Sequence, residues 1–370
     1  PSIPAGDAEV LERLPYPASD PIARELRDLR TELARDPDDL DLAVRLARRY
    51  VTVGRAKSDP RYYGYAQAAL HPWWDLAQPP SNVLVLRATL RQNRHAFDAA
   101  LADLSQALAS DPRNAQAWIT RAVILQVKGQ YSASLESCRP LFKLAEPLSA
   151  VACLCSAGSL SGQAAKSYEV LRHTLASAPR ANAEVRLWAL TLLADIAARL
   201  NKPEAAAQHF EHALSLGLYD VHLQGAYADF LLDRGQPAEV VALLKGDIRA
   251  DGLLLRLALA EKALSSQSSL HIEQLKARFA ASRLRGEAVH RGEEARFTLH
   301  LLEQPRAALQ LALANWAVQR EPRDARIVLE AALAAGDPGA ARPVLERLHK
   351  TSLEDIQLAH LAAKLETIRQ

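Results

Sequence analysis

The sequence predicts an all-α protein whose helices form antiparallel pairs that stack into an elongated array. Ala, Leu, Arg, Glu and Gln dominate stretches of about twelve to sixteen residues, which Pro, Gly and Asp separate. Apolar positions inside these stretches repeat with helical spacing, and the alternation typical of strands is nearly absent. The stretches also come in pairs, and the pairs recur at a constant interval.

Composition excludes several classes of protein. The 370 residues carry a formal net charge of +2, with 49% hydrophobic and 24% charged residues. Such an ordered, nearly neutral chain does not call for nucleic acid or an anionic membrane surface as a partner. No run approaches eighteen apolar residues, so we expect no transmembrane helix.

The chain contains no methionine, even at its first position. We therefore expect that it begins after a removed segment or has been edited, and that the Pro-rich residues 1–20 form a flexible mature N-terminus.

The first predicted helix covers residues 21–35. Asp20 is suited to cap it, and Pro21 fits the first turn, where its missing N–H costs nothing. One apolar stripe follows the helical period: Ile22, Leu26, Leu29 and Leu33.

Residues 81–114 and 115–147 form two helix pairs offset by 34 positions. Corresponding residues are Leu84 and Trp118, Ala88 and Ala122, Phe97 and Tyr131, and Ala100 and Ser134. The pattern continues over 148–179, is interrupted by a five-residue insertion around "RANAE", and resumes at Ala194.

The recurring residue types explain how such pairs would pack. Small side chains allow two helix axes to approach closely: Ala88, Ala122, Ala194 and Ala228 on first helices, and Ala100, Ser134, Ser167 and Ala206 on second helices. Large side chains fill the space between pairs: Phe97, Trp118, Tyr131 and Phe210. Gly129, Gly162 and Gly235 permit the tight turn within a pair.

The pattern divides the chain into segments of different regularity. Residues 21–80 hold N-terminal helices and a degenerate first pair, with helices at 40–56 and 62–74, and residues 81–250 form the regular array. Residues 251–370 hold divergent pairs, at 251–264 with 270–286, 294–303 with 305–320, and 324–335 with 338–350. A closing helix at 353–368 would cap the array, its outer face polar with Lys364, Glu366 and Arg369.

A period near 34 with two helices per unit resembles the tetratricopeptide-repeat (TPR) family. The resemblance is strong from about 81 to 246 and looser over 21–74 and 251–350. It implies a right-handed α-α superhelix, a TPR solenoid, whose first helices line a concave groove. It also implies a non-enzymatic scaffold that binds a protein or peptide partner, without a cofactor.

The register of the first helices predicts which side chains face this groove. They are Val85, Thr89, Gln92, Ile119, Val123, Gln126, Thr191, Asp195, Arg199, His222, Gly225 and Asp229. Such a mixture of apolar and polar groups suits an extended or helical peptide.

Family members that hold the acidic tails of heat-shock chaperones use a clamp of Lys and Asn in this groove. At the clamp positions this chain has Val44, Arg48, Val85, Thr89, Ile119 and Val123. A cytosolic co-chaperone role is therefore not expected.

Several stretches resemble a narrower group of exported bacterial tetratricopeptide proteins. They are "DPRYYGYAQAALHPWW", "DPRNAQAW", "YADFLLDRGQPAEVVALLK", "DGLLLRLALAEKAL" and "VHRGEEARF". This resemblance implies a signal peptide and a periplasmic location, with a cytoplasmic one as the alternative. A scaffold in bacterial envelope assembly is the corresponding hypothesis.

Residues 59–74 concentrate five aromatic rings, and two interpretations remain open. Tyr62 and Tyr63 lie on adjacent faces of the predicted helix, as expected for packing between neighbouring pairs. Alternatively, Trp73 and Trp74 project beyond the helix end beside His71 and form a stacking platform for a ligand or peptide.

The three cysteines also allow alternatives. Cys138 lies on the second helix of one pair, and Cys153 and Cys155 lie on the first helix of the next. Either could reach Cys138, and the bridge would then close a loop of about fifteen residues. The other interpretation is three small buried residues with free thiols. A bridge would favour an exported protein.

No known catalytic, phosphate-binding or dinucleotide motif is present, so no enzyme is expected. Two histidine groups are weak metal candidates: His209 with His212, and His290 with Glu293, Glu294 and His300. The alternative function is a repeat domain that binds a small ligand or metal through the aromatic cluster or these histidines.

Overall fold

The computed structural model describes residues 20–246, 249–264, 269–285 and 290–368, and the regular elements in these ranges are all α-helices. The predicted all-α fold class is therefore confirmed. The predicted N-terminal segment up to residue 19, and Arg369 of the predicted cap, lie outside the described residues.

The helices up to the insertion are between 4 and 18 residues long and are joined by connections of a few residues. They are Pro21–Arg35 (α1), Leu40–Lys57 (α2), Arg61–Ala69 (α3), His71–Trp74 (α4), Ser81–Asn93 (α5), Phe97–Ser110 (α6), Ala115–Val127 (α7), Tyr131–Cys138 (α8), Leu141–Leu144 (α9), Pro147–Gly158 (α10) and Ala164–Ser177 (α11).

After the insertion the pairing continues to the end of the described chain. The helices are Ala183–Arg199 (α12), Pro203–Ser215 (α13), Val221–Asp233 (α14), Pro237–Leu244 (α15), Asp251–Ala263 (α16), Ser269–Leu284 (α17), Arg291–His300 (α18), Pro305–Trp316 (α19), Pro322–Ala335 (α20), Arg342–Thr351 (α21) and Ile356–Ile368 (α22).

Helix starts follow the predicted capping chemistry. The Asp20 side chain accepts hydrogen bonds from the backbone N–H groups of Ile22 and Ala23, at 2.8 and 3.0 Å. Asn114 and Asp220 cap α7 and α14 in the same way. Each cap satisfies donors that the first turn of a helix leaves without a partner.

The recurring small residues lie where helices cross. Ala88, Ala122, Ala194 and Ala228 are all buried, and so are Ala100, Ser134, Ser167 and Ala206 on second helices. Phe97, Tyr131 and Phe210 are buried between pairs, while Trp118 is half-buried. The stacked helical hairpins that the sequence predicts are therefore present.

The turn between first and second helices has the same conformation throughout the regular array. A left-handed residue occupies the equivalent position each time: His95, Gly129, Gly162, Asn201 and Gly235. Consecutive positions are 33 or 34 residues apart, except that 39 separate Gly162 from Asn201, where the predicted insertion lies. The array therefore repeats a backbone conformation, which glycine favours but does not alone permit.

Two second helices are broken where the sequence suggested continuous ones. The helix expected over 62–74 ends at Ala69, and a separate turn, α4, starts beside Pro72. The helix after Gly129 likewise divides into α8 and α9 next to Pro140. Proline has no backbone N–H and disfavours helix in the preceding residue, so the ladder is interrupted at both points.

Turns between helices of the first half of the array contact loops near its C-terminal end. The Arg320 N–H donates to the Val127 carbonyl at 2.8 Å, and the Tyr131 hydroxyl donates to the Arg320 carbonyl at 3.3 Å. Further along, the Glu354 carboxylate accepts from the Ala164 N–H at 2.5 Å. We call this line of contacts the seam; it joins the turns of α7–α8 and α10–α11 to the loops that flank α20 and α21.

Candidate interaction groove

The first helices of the second half present a row of charged side chains to a common hollow. The side chain of Asp195 on α12 lies 3.8 Å from the His222 ring on α14. It also feels the charges of Arg199, Asp229 and Arg323. Although charges from α12, α14 and α20 surround it, 36% of its surface remains accessible. A charged side chain that is surrounded by other charged groups and yet partly accessible lies on an inner surface that solvent can reach.

Asp229 joins three consecutive first helices. One carboxylate oxygen accepts from Arg256 on α16, and the other from Arg296 on α18, at 2.5 Å. Burial alone would raise the pKa of Asp229, but the two guanidinium groups hold it well below its ordinary value. The carboxylate is therefore ionised and fixed, and α14, α16 and α18 share one charged contact.

A second network continues toward the end of the array. Arg326 on α20 makes two 2.7 Å hydrogen bonds to Asp233, and its Nε donates to Glu330 at 2.6 Å. The other Glu330 oxygen lies 2.9 Å from His300 Nε2. Burial opposes ionisation, yet the hydrogen bonds from His300 and Arg326 lower the pKa of Glu330 to about 2.

An open depression of about 510 Å³ adjoins this network. Its walls are Leu299, His300, Glu330, Leu333, Ala334 and Leu361. It lies between α18, α20 and α22, with apolar walls and one histidine–carboxylate pair.

Arg199, another predicted groove residue, has a structural role as well. Its guanidinium donates to the Ser159 carbonyl and hydroxyl, both at 2.8 Å, and lies 3.5 Å from the Glu354 carbonyl. Arg199 therefore connects α12 to the α10 turn and to the seam. Several of its N–H donors are already used within the chain and are not available to a partner.

The predicted groove residues of the first half form an uncharged wall. Thr89, Gln92, Ile119, Val123 and Gln126 are all half-buried. Three other predicted groove residues are buried and therefore not available to a partner: Val85, Thr191 and Gly225. The Thr191 hydroxyl is used internally, because it donates to the Leu187 carbonyl.

Sequence reasoning missed the basic members of the charged wall. Arg256, Arg296 and Arg326 lie on helices whose register departs from the 34-residue pattern, so their inward position was not evident. A signal was nevertheless present. Acidic residues at the groove position of consecutive first helices, Asp195 and Asp229, need cationic neighbours once they are enclosed.

Four of the five aromatic residues at 59–74 are half-buried against the N-terminal core, while Tyr65 is exposed. Rings of Tyr50, Tyr62 and Tyr65 lie 5.6 to 6.1 Å apart. Tyr63, Trp73 and Trp74 pack beside the buried residues of α2 and α5. The Trp74 ring lies 6.0 Å from the Arg87 guanidinium, and Arg87 is paired with buried Asp103 at 2.7 Å. This arrangement favours the packing interpretation over a free platform.

Three members of the histidine groups, His209, Glu294 and His300, have partners outside their own group. His209 Nε2 lies 3.0 Å from the Tyr168 hydroxyl, and His212 is exposed. Glu294 pairs with Arg283. Within the described parts of the chain, no three side chains of metal-binding type come together.

A disulfide joins Cys138 on α8 to Cys153 on α10, with their Cα atoms 5.6 Å apart. Cys155 is a free, buried thiol, and burial raises its pKa to about 11. Of the two bridges that the sequence left open, the structure contains the one that uses Cys153.

These features define a tetratricopeptide-type solenoid. The helix pairs repeat near every 34 residues, small residues lie at the crossings, and the same turn conformation recurs along the chain. Over the described ranges, none of the helices is both long enough and apolar enough to cross a membrane.

The similarity of this chain to known proteins is distant. No family model and no curated protein sequence matches this chain. A tetratricopeptide repeat protein from Parabacteroides merdae is similar over 69% of this chain and 91% of its own, with 16% identity and a TM-score of 0.44.

Two further solved structures cover most of the chain. The Cut9–Hcn1 hetero-tetramer of the APC/C matches 92% of each chain with 12% identity and a TM-score of 0.33. The TPR domain of P58(IPK) matches 90% of this chain and 98% of its own, with 17% identity and a TM-score of 0.26. Because these scores are below 0.5, the description of the fold rests on the helix packing of this chain.

Proposed function

We propose that this protein is a non-enzymatic scaffold that binds a protein or peptide segment in its central groove. The observation that carries the proposal is the inner wall of first helices, where predicted groove side chains such as Gln92, Gln126 and Asp195 remain partly accessible. Stacked helix pairs commonly use such concave surfaces for binding.

The groove has two chemically different halves. The wall from α5 and α7 is uncharged and amide-rich, with Gln92 and Gln126 one repeat apart. The wall from α12 to α20 carries both signs of charge, and most of its groups are paired with each other. A partner segment with polar and apolar side chains would contact the first half, where no internal ion pair must be broken.

The test is a pull-down from bacterial envelope extracts with the intact protein and with a Gln92→Ala, Gln126→Ala variant. We expect a partner that the intact protein retains and the variant loses. The matched control is Gln208→Ala, an exposed residue on second helix α13. The groove proposal is wrong if no protein co-purifies, or if the control loses the partner equally.

We further propose that the protein works in an oxidising compartment, such as the bacterial periplasm, in envelope assembly. The Cys138–Cys153 disulfide supports this, since structural disulfides persist mainly in exported proteins. Cell fractionation followed by alkylation of free thiols tests it. We expect protein in the periplasmic fraction with only Cys155 unbridged, and fully reduced protein in the cytoplasm would contradict the proposal.

A further inference from the structure

One ion pair on the inner wall joins two first helices that are not neighbours in the array. The Arg326 guanidinium on α20 makes two 2.7 Å hydrogen bonds to the Asp233 carboxylate at the end of α14, although two other first helices, α16 and α18, lie between them. We propose that this pair is a latch, which holds the array in a strongly curved, closed form and whose release opens the seam. The latch is independent of the proposed function, since it concerns a motion of the chain and not the identity of a partner.

The first helices of the second half pack in succession, so side chains must reach past α16 and α18 to connect α14 with α20. The α14 helix packs on α16, α16 packs on α18, and α18 packs on α20. Asp229 makes a related connection past one helix, from α14 to Arg296 on α18 at 2.5 Å. The curvature of a solenoid follows from the rotation between successive units. Because these two pairs draw the inner edges of several first helices together, they stabilise a large rotation.

The curvature that the latch holds is also the one at which the seam closes. The Tyr131 hydroxyl and the Arg320 carbonyl that it contacts are 189 positions apart in sequence, and the Ala164 N–H and the Glu354 carboxylate are 190 apart. Arg320 lies two residues before α20, and Arg326 lies in the second turn of this helix. The latch therefore acts on the helix that directly follows a seam residue, close to where the two sides meet.

The seam itself is mainly polar. Its hydrogen bonds use backbone groups of four residues: Val127, Gly129, Ala164 and Arg320. The Tyr131 ring also lies 5.2 Å from the guanidinium of Arg347, which donates to the Gly129 carbonyl. Within the part of the chain that the structure describes, the hydrophobic clusters that contain residues of α7 to α11 contain none from α18 to α22. Polar contacts, and not a shared core, therefore close the seam.

Opening of the seam would leave the helix pairs folded. In a solenoid each unit is stabilised by its own packing and by its nearest neighbours, and contacts between distant units are not needed for folding. The seam hydrogen bonds contribute little net free energy, because water replaces them when the seam opens. Closed and open forms are therefore close in free energy, and the latch shifts the equilibrium between them toward the closed form.

The geometry of the latch suits this role. The planar guanidinium of Arg326 binds both oxygens of Asp233, which is a strong and directional arrangement. Glu330, one turn further along α20, accepts from Arg326 Nε at 2.6 Å and fixes the orientation of the guanidinium. The Arg326 and Asp233 side chains remain 32% and 25% accessible. Water can therefore reach both charges, so the pair can break without leaving a charge buried, and the inner wall between α14 and α20 would then be uncovered.

Hydrogen exchange of two backbone amides measures the opening of the seam directly. The Arg320 N–H and the Ala164 N–H both donate to acceptors on the other side of the seam. Each is therefore protected from exchange with deuterium until the seam opens or its unit unfolds. The amide of buried Leu193 inside α12 serves as the reference for unfolding. Mass spectrometry at single-residue resolution follows all three amides in the intact protein and its variants.

Two variants break the latch, and a third is the matched control. Asp233→Asn removes the carboxylate and leaves Arg326 in place, while Arg326→Gln removes the guanidinium. The control is Arg278→Gln, which removes an ion pair between Arg278 and Asp251. That pair has a similar accessibility, 33% and 18%, but it joins α16 to α17 within one helical hairpin.

We expect Asp233→Asn and Arg326→Gln to speed exchange at both seam amides by about fivefold or more relative to the Leu193 amide, as the loss of one favourable ion pair implies. Arg278→Gln should leave exchange at both seam amides as it is in the parent protein.

Unchanged exchange at the seam amides in Asp233→Asn would overturn the latch, even if Arg326→Gln failed to fold. An equal increase in Arg278→Gln would overturn it as well, because a general loss of stability would then account for the faster exchange.

Discussion

The Asp229 carboxylate contributes to the stability of the fold because it neutralises two arginine side chains on the inner wall. Its two oxygens hold Arg256 and Arg296, and all three side chains are largely shielded from water. Such an arrangement is costly to break, because removal of the acid leaves two guanidinium groups together without a counter-charge.

We therefore expect Asp229→Ala to lower the free energy of unfolding by about 2 kcal/mol, measured by urea denaturation at neutral pH. The matched control is Glu169→Ala, which removes an exposed pair with Arg172 and should leave the free energy of unfolding nearly unchanged. Equal effects would contradict the structural role of Asp229.

The contribution of Asp229 should also depend on pH. Because its pKa is depressed in the folded protein, the stabilisation is present above the unfolded-state pKa of about 3.9 and is lost as the pH falls.

Asp324 behaves in the opposite way. It accepts hydrogen bonds from Asn315 Nδ2 at 2.8 Å and from the Glu321 N–H at 2.9 Å, next to the seam. Burial, together with the nearby Glu321 carboxylate, raises its pKa to about 7. The folded protein therefore holds this proton more tightly than the unfolded chain does.

It follows that Asp324 makes the protein less stable as the pH rises from about 4 to about 7, and has a constant effect above that range. In an Asp324→Asn variant this dependence should disappear, while the loss of one hydrogen bond shifts stability by a pH-independent amount. Urea unfolding at a series of pH values measures both. Parallel curves for parent and variant would show that Asp324 does not titrate as described.

At the scale of elements, the disulfide compensates for an irregular second helix. The break next to Pro140 leaves α8 only eight residues long, and Cys138 at its end is tied to α10. A short helix has little intrinsic stability, so the covalent link keeps this pair in register with the next.

We expect a Cys138→Ala, Cys153→Ala variant to lose roughly 3 kcal/mol of unfolding free energy, as the chain-entropy relation gives for a loop of this length. Thermal and urea denaturation under non-reducing conditions measure the loss. The Cys155→Ala variant serves as the control, because it removes a buried thiol without opening a loop. Similar losses in both variants would mean that packing, not the cross-link, is responsible.

The element pattern was largely predictable. The α1 helix runs over residues 21–35 as expected, and the 34-residue offset alone located the recurring buried alanines. The breaks at Pro72 and Pro140 were not predicted, because the repeat suggested helix where local proline chemistry interrupts it. The left-handed conformations of His95 and Asn201 were not predicted either, although Asn and His adopt this conformation more readily than most other non-glycine residues.

At the scale of the whole molecule, the seam distinguishes turns that are otherwise equivalent. Gly129 and Gly235 have φ of 71° and 69°, but only Gly129 lies against another part of the chain. Substitutions at these two glycines therefore separate the effect of backbone strain on stability from the effect of disturbing the seam.

Both Gly129→Ala and Gly235→Ala should lose about 1–2 kcal/mol from the left-handed backbone alone. Gly129→Ala should lose more stability, because the new Cβ displaces the Arg347 guanidinium. The radius of gyration of the Gly129→Ala protein, measured by solution scattering, should also increase. If the two variants have the same stability and the same radius, the seam contributes nothing to the shape in solution.

The sequence by itself determined the helical class, the pairing and the buried small residues, because these depend on the helical period, on the 34-residue repeat and on contacts between neighbouring helices. Only the tertiary structure decided the choice of Cys153, the internal pairing of the charged wall and the closure by the seam. These depend on the small rotation between successive pairs, which accumulates along the array and brings together residues that no local pattern relates.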